Sequence, residues 1–385
     1  MAGHKKFIIR KMELEDLEFA VQLAKEEGWN PGIHDAECFF ASDPDGFFVG
    51  ELIEDDGKEN SEEKLAGGAG SGAGSNSGLA GGAGISGSDA GAAGAGGSGA
   101  GGAGSSSGLA GGAGGAGSSS GLAGGAGVSE IEAKGAGVLD SGAGAIDTGK
   151  TATGIKKERI AVVSAVRYGN EFAFLGFYIV KPEYRKEGYG WQISRYAENH
   201  VKGMLIGIDG VVQQQKNYVK DGYVFYMNQY RYEGENIKGF RDEKIINLQS
   251  YPFEQVFDYD RKVVGYKREK FLNEWIHQQG ISALGYVEDG KLKGMGVIRK
   301  CFVGYKVGML FADDREIAEK IFYALAEKAN GEKIYLDVPE KNYEAYEFAK
   351  EKLGKYVFET ARMYKNGILN QDIGKIFGVT TFELG

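Results

Sequence analysis

The chain is poor in cysteine and in long apolar runs, and these shortages exclude several classes of protein. Only two of its 385 residues are cysteines. Cys38 and Cys301 lie far apart and in no paired-ligand spacing, which argues against a disulfide framework and against a zinc site. No apolar run reaches the length that crosses a membrane. We therefore expect a cytoplasmic protein that has no membrane partner and needs no metal.

Positive charge is outnumbered by negative charge, with 45 lysines and arginines against 54 aspartates and glutamates. The formal net charge is −9 at pH 7, whereas proteins that bind a nucleic-acid backbone usually carry a basic face. Nucleic acid is therefore excluded as the main partner.

Glycine, in contrast, is abundant and concentrated in one segment. More than half of the 64 glycines lie between Leu65 and Gly154, where the unit LAGGAG recurs four times. Glycine, alanine and serine offer too little apolar area to offset about 1–2 kcal/mol of backbone entropy per residue, so this insert is predicted to be disordered. A spacer is the favoured interpretation. The alternative is a silk-like stacking role, although the paired glycines break the alternation that stacking needs.

Outside the insert, the sequence predicts an α/β protein with a mixed, mostly antiparallel sheet flanked by helices. HKKFIIRK predicts a strand, and the apolar spacing from Leu17 to Ala24 predicts a helix that ends near Gly28. DPDGFFVGELIED and ERIAVVSAVRYGNEFAFLGFYIV predict three further strands. Helices and strands then alternate, and the segment YVFYMNQYRYEG is predicted to form a pair of strands.

The segment VKPEYRKEGYG, Val180 to Gly190, joins a predicted strand to a predicted helix through a charged, glycine-containing loop. The first turn of a helix leaves backbone N–H groups unpaired, and the helix dipole favours negative charge there. Such a loop is suited to binding a phosphate group.

Two motifs in this region resemble those of the GNAT superfamily of N-acetyltransferases. Arg185, Gly188 and Gly190 match the acyl-coenzyme A signature Arg/Gln-x-x-Gly-x-Gly/Ala. About thirty residues later, NYVKDGY is similar to the Asn/Tyr-x-x-x-Gly-Phe segment of the family, beginning at Asn217 and Tyr218. The run that starts at GWNPG also resembles a two-domain subgroup whose second half is a holothin acyltransferase-like acetyltransferase domain.

The resemblance implies that acetyl-CoA is the acyl donor and that no metal takes part. Glycines at 188 and 190 would let backbone N–H groups approach the pyrophosphate. The residues that the resemblance assigns to donor binding are Phe177, Tyr178, Ile179, Val180, Arg185, Lys186, Glu187, Gly188, Tyr189, Gly190 and Asn217.

The same resemblance makes Tyr218 the acid that protonates the leaving thiolate, and the alternative is a packed tyrosine. An amine acceptor arrives protonated and needs a base. Glu171 and Asp209 are both candidates, and a turn-capping carboxylate is an equal alternative for Asp209.

The acceptor is predicted to bind beside the loop that follows the first helix. Trp29, Asn30, His34 and Asp35 lie within seven residues of one another, and in the family this loop forms one wall of the acceptor pocket. The alternative is that His34 and Asp35 cap the next helix, DAECFF.

From Asn236 onward the order of elements repeats, which predicts a duplicated half. Residues 1–64 and 155–235 would form an N-terminal GNAT domain, and residues 236–385 a degenerate GNAT-like domain without a cofactor loop. At the matching helix start the second copy has FADDREIAE, where Asp313 and Asp314 are expected to cap the helix and repel a pyrophosphate.

The combined prediction is an N-acetyltransferase that moves an acetyl group from acetyl-CoA directly to a primary amine of a small molecule or amino acid. The alternatives are a catalytically silent acyl-CoA sensor and a scaffold protein organised by the glycine-rich insert.

Overall fold

Strands dominate the fold and join in one large mixed sheet. The computed structural model describes residues 5–55 and 155–385, so the predicted insert at residues 65–154 lies outside the described residues. The strands are β1 Lys5–Lys11, β2 Phe47–Asp55, β3 Ile155–Tyr168, β4 Phe172–Val180, β5 Leu205–Val211, β6 Val224–Gly234, β7 Ile245–Asn247, β8 Ser282–Glu288, β9 Lys291–Lys300, β10 Tyr305–Ala312, β11 Ile334–Pro339, β12 Lys355–Lys365 and β13 Ile376–Gly378.

Eight α-helices in the described residues pack on this sheet. They are α1 Leu14–Glu26, α2 Asp35–Ser42, α3 Tyr189–His200, α4 Gln215–Lys220, α5 Phe253–Val264, α6 Glu269–His277, α7 Arg315–Ala326 and α8 Tyr343–Lys352. No helix in the described part of the chain is both long and apolar enough to cross a membrane.

Helix α1 shows how the apolar spacing sets the local structure. Its start is fixed by a capping box between Glu13 and Asp16, which satisfies backbone N–H groups of the first turn. The apolar positions that predicted the helix, Leu17, Ala20, Val21 and Ala24, are all buried. This helix is therefore confirmed where the sequence placed it.

The order of the strands is β1-β2-β3-β4-β5-β12-β6-β11-β10-β9-β8-β7, and β13 pairs with β10. Among these neighbours, β4 with β5 and β10 with β11 are parallel, and the others are antiparallel. The predicted mixed, mostly antiparallel sheet is confirmed. The segment YVFYMNQYRYEG, however, forms the single strand β6 and not a pair.

Two strands cross between the halves of the chain. Strand β12 pairs with β5 from Thr360 opposite Val211, and with β6 on its other side. Strand β6 pairs in turn with β11, where Ile334 lies opposite Gly234. Each half therefore completes its sheet with the last long strand of the other. The division at residue 235 stays a prediction.

The two parallel strand pairs have different surroundings. Beyond the β10–β11 pairing, β13 lies against β10, where Gly378 is opposite Leu310. The backbone N–H of Val379 then donates to the carbonyl of Asp337 on β11, at 2.8 Å. The space where β10 and β11 diverge is therefore occupied by backbone.

Candidate active site

A cavity of about 760 Å³ opens where β4 and β5 separate. The parallel pairing of these strands covers Phe172–Leu175 opposite Leu205–Ile208 and extends no further. Residues 176–180 of β4 and 208–211 of β5 both line the cavity. The backbone of β4 beyond Leu175 therefore faces the cavity without β5 as its partner.

An irregularity in β4 accompanies this separation. The β3–β4 register shifts between Val162 and Ser164, and the non-glycine residue Phe177 has a φ of 46°. A bulge of this kind bends a strand and increases its local twist. It therefore turns the end of β4 away from β5.

The predicted phosphate loop lies at one end of the cavity. Helix α3 begins at Tyr189, and its N-cap residue is Gly188, whose φ of 86° lies in the left-handed region that glycine adopts at no steric cost. No side chain caps this helix. The N–H groups of its first turn are thus available to an anion.

The side chains of the loop divide between the cavity and the surface. Arg185, Lys186, Gly188 and Gly190 line the cavity. Arg185 donates from Nε to the carbonyl of Val180 at 2.8 Å and forms an ion pair with Glu27. The other two predicted loop residues do not line it: Tyr189 packs on Phe7, with ring centroids 4.8 Å apart, and Glu187 is exposed.

Tyr218, on α4, lines the cavity opposite β4. Its ring lies against Gly210 of β5, where an added Cβ would be 2.4 Å from the ring. Burial, and then the neighbouring Tyr178, raise the pKa of Tyr218 above its ordinary value. The phenol therefore keeps its proton at neutral pH. Asn217 also lines the cavity and donates to Gln214 at 2.7 Å.

The two predicted bases lie in different environments. Asp209 lines the cavity, but its carboxylate is fully buried and accepts hydrogen bonds from Arg362, at 2.6 and 2.7 Å, and from Gln229. Burial raises the pKa of Asp209, although the charge of Arg362 opposes the shift. Glu171 is an exposed residue of the β3–β4 turn and is not part of the cavity lining.

Comparison with known proteins finds a family match in the second half of the chain. Residues 256–378 match the family model described as "Acetyltransferase (GNAT) domain". A holothin acyltransferase from Pseudoalteromonas sp. (strain SANK 73390) is 29% identical over 238 residues, which cover 60% of this chain and 79% of that protein.

The second half of the chain thus contains a region similar to GNAT acetyltransferase domains.

Two more relatives complete the comparison. An uncharacterized protein of Caenorhabditis elegans is 30% identical over 115 residues, 27% of this chain and 36% of that protein. The fold of this chain is similar to that of a putative acetyltransferase from Pyrococcus horikoshii, with a TM-score of 0.62, 16% identity, and coverage of 98% of this chain and 96% of the other. The predicted fold class is thereby confirmed, and the matches to the domain model and to the holothin acyltransferase support an acyltransferase of the GNAT type.

Of the residues predicted for the acceptor, only Trp29 lines the cavity. Asn30 exchanges hydrogen bonds of 2.9 Å with the backbone of Val303. Asp35 is buried, accepts from Gly32 N–H at 2.8 Å and forms an ion pair with Arg299 at 2.9 Å. His34 precedes α2 and makes no side-chain cap. The acceptor role of these residues stays a prediction, and their contacts do not favour it for Asn30 or Asp35.

Sequence reasoning missed every cavity residue that belongs to the second half of the chain: Phe358, Thr360, Phe382 and Glu383. Strand exchange brings β12 beside β5, and the segment after β13 reaches β4. No local pattern in the sequence marks these residues, because the first-half residues that line the cavity with them are far away in the chain.

Proposed function

We propose that this chain transfers the acetyl group of acetyl-CoA directly to a primary amine of a small molecule or amino acid, within a ternary complex. One observation carries the proposal: an uncapped helix start, a free strand edge and a protonated tyrosine line the same cavity. These are a site for an anion, a surface for an amide chain and a proton donor.

The pyrophosphate of the donor fits the start of α3. Backbone N–H groups from Lys186 to Gly190 and the positive end of the helix dipole favour an anion there. Lys186 is exposed and adds positive charge, whereas the charge of Arg185 is shared with Glu27. The loop therefore offers mainly backbone donors, which suit a diphosphate at the cavity mouth.

The pantetheine arm fits the edge of β4. Residues 177–180 line the cavity where β5 no longer pairs with β4, so the amides of the arm would add to the sheet as an extended strand does. A backbone N–H in this stretch would polarise the thioester carbonyl. Tyr218 would give a proton to the sulfur as the carbon–sulfur bond breaks.

We assign donor binding to the first half of the chain. In the second half, Asp314 caps α7 by accepting from Ile317 N–H at 2.9 Å, and β13 fills the space beside β10. The second half then serves to complete the sheet and to wall the cavity.

The test is turnover by the full chain. Purified protein is mixed with acetyl-CoA and a panel of primary amines, and free thiol is measured over time. The enzyme hypothesis predicts amine-dependent thiol release. A silent sensor would bind acetyl-CoA, as calorimetry would detect, and release no thiol with any amine.

Removing residues 65–154 separates the enzyme from the scaffold. We expect the shortened chain to fold and to retain turnover, because the proposed donor site and Tyr218 lie outside the removed segment. Loss of all function in a folded shortened chain would favour the scaffold alternative.

A further inference from the structure

We propose that Glu383 is the general base of the transfer reaction, and that the acceptor amine binds beside it, between the two halves of the chain. This inference rests on the proposed function. It names a residue that no motif of the sequence marks.

The backbone around Glu383 is held on both sides. Arg268 donates from Nη1 to the hydroxyl of Thr380 at 3.0 Å, and Tyr168 donates from its hydroxyl to the carbonyl of Leu384 at 2.8 Å. Both Arg268 and Tyr168 are buried. The segment 380–384 is therefore anchored to the second half at one end and to β3 at the other.

This segment crosses β4 at the point where the cavity begins. A Cβ added to Gly176 would lie 1.9 Å from the carbonyl oxygen of Glu383. Gly176 directly follows Leu175, the last residue of β4 that pairs with β5. The close approach needs a residue without a side chain, and it places Glu383 over the part of β4 proposed to hold the thioester.

The carboxylate of Glu383 differs from those of Glu171 and Asp209, because Glu383 is buried at the cavity and forms no ion pair among the described residues. Glu383 is 2% exposed and lines the same cavity as Tyr218. Within the described part of the chain, its side chain makes one hydrogen bond, with the neutral hydroxyl of Thr381. It therefore takes up a proton without breaking an ion pair.

Asp209, in contrast, is held in an ion pair. Its carboxylate binds the guanidinium of Arg362 through both oxygens, and both groups are almost fully buried. A proton on Asp209 would leave the charge of Arg362 buried and unpaired, which is strongly unfavourable. Asp209 is better suited to hold β5 against β12 than to accept a proton from a substrate.

The charged groups around Glu383 are Asp209, Arg231, Arg299 and Lys306, whose pKa values all respond to its charge. Arg231 is paired with Asp337. Burial lowers the pKa of Lys306, which donates to the carbonyl of Trp29 at 3.4 Å, and the charge of Glu383 opposes that shift. Arg299 is paired with Asp35, and none of these cations forms an ion pair with Glu383 among the described residues.

Glu383 and Tyr218 together account for every proton that moves in the proposed reaction. Glu383 takes one proton from the ammonium group of the acceptor and later releases it to solvent. The free amine forms a bond to the thioester carbonyl carbon, and the carbon–sulfur bond breaks. Tyr218 protonates the leaving thiolate and regains a proton from the nitrogen of the tetrahedral intermediate. The products are an amide, the free thiol and one proton.

The experiment compares two kinds of acceptor with Glu383→Gln in the full chain. Alkylamines have pKa values near that of lysine and arrive protonated at pH 7, so they need the base. Aromatic amines arrive neutral and do not. We expect Glu383→Gln to lower kcat/KM by about 10²–10⁴-fold for alkylamines, the usual contribution of a general base, and by much less for aromatic amines.

The matched control is Glu254→Gln, at an exposed position at the start of α5, which should change neither rate. Calorimetry with acetyl-CoA should show the same donor affinity for Glu383→Gln and the wild type. If Glu383→Gln fails to fold, Glu383→Asp keeps the carboxylate and should show the same selective loss for alkylamines, to a smaller extent.

Two results would overturn the assignment of Glu383. One is an unchanged rate for alkylamines in Glu383→Gln, and the other is an equal loss for both kinds of amine while acetyl-CoA still binds. In either case the wild type still turns over, so the proposed function stands. A wild type that binds acetyl-CoA but acetylates no amine would instead overturn the proposed function, and this inference with it.

Discussion

The two halves of the chain use the same strand–loop–helix unit in opposite ways. Helix α3 follows β4 and begins at a glycine with no side-chain cap. Helix α7 follows β10 and begins at Asp314, whose carboxylate accepts from the N–H of Ile317. One helix start leaves its donors to a ligand, and the other satisfies them within the chain.

The spaces beside the two parallel strand pairs also differ, because one is open and the other is filled. Strands β4 and β5 pair over residues 172–175 and 205–208 and then diverge around an open cavity. Strands β10 and β11 pair over residues 305–307 and 334–336, and β13 then occupies the space between them. One cleft is thus open, whereas the space beside the other parallel pair is filled by backbone.

Substitution at Gly188 should have the largest effect, because it should remove donor binding from the half with the open cleft. Glu at this position places a negative charge beside the uncapped start of α3, so Gly188→Glu should show no acetyl-CoA binding at concentrations that saturate the wild type. Gly188→Ala is the control, because it adds the backbone strain at φ 86°, about 1–2 kcal/mol, without the charge. Calorimetry measures both. Normal donor binding by Gly188→Glu would show that the phosphate loop is misassigned.

Removing the hydroxyl of Tyr218 tests the chemistry of the open cleft. Tyr218→Phe should lower kcat by about 10²-fold through loss of the general acid and leave the affinity for acetyl-CoA unchanged. Because burial raises the pKa of Tyr218 above its ordinary value, kcat of the wild type should show no decrease from this group below about pH 10. A pH–rate profile with steady-state kinetics checks both points. Equal kcat for the two proteins would exclude Tyr218 as the acid.

The contact between the halves can be weakened at Gly176. Gly176→Ala forces a Cβ toward the carbonyl of Glu383, and overpacking of this kind costs about 1–3 kcal/mol of unfolding free energy. We expect a lower Tm together with a lower kcat, because segment 380–384 must move. Gly374→Ala is the control, since its nearest neighbouring atom is 3.8 Å from the added Cβ. An unchanged Tm in Gly176→Ala would contradict the close approach.

The cap of the second half should give the smallest effect. Asp314→Ala removes the hydrogen bond to Ile317 N–H and should reduce the free energy of unfolding by about 1 kcal/mol. Donor binding should not change, since the cleft of this half is filled by β13. Denaturant unfolding and calorimetry measure the two quantities. A gain of a second acetyl-CoA site in Asp314→Ala would show that the cap, and not the filled cleft, excludes the donor.

The sequence predicted the elements whose signals are local. The apolar spacing of α1, the glycine-containing loop before α3 and the cap at Asp314 each depend on residues within a few positions of one another. The placement of Tyr218 in the cavity was also accessible, because a short motif carries it. Asp313 was less well predicted: it contacts Tyr259 and Lys375 and does not cap α7.

The cavity wall could not be predicted in the same way. Asp209 looked equally like a base or a turn cap, and its partner Arg362 lies on β12, 153 residues away. Asp35 looked like an acceptor residue or a helix cap, yet it pairs with Arg299, 264 residues away. Charged side chains find such partners only when strands from both halves lie together.

The sequence by itself determined most helices and strands and the uncapped glycine loop before α3, because backbone hydrogen bonding and helix capping act over a few residues. Only the tertiary structure decided which cleft stays open and which carboxylates face it. Strand exchange between β6 and β12 and the path of the segment after β13 set both outcomes. The physical reason is that burial and charge pairing depend on contacts between residues far apart in the chain.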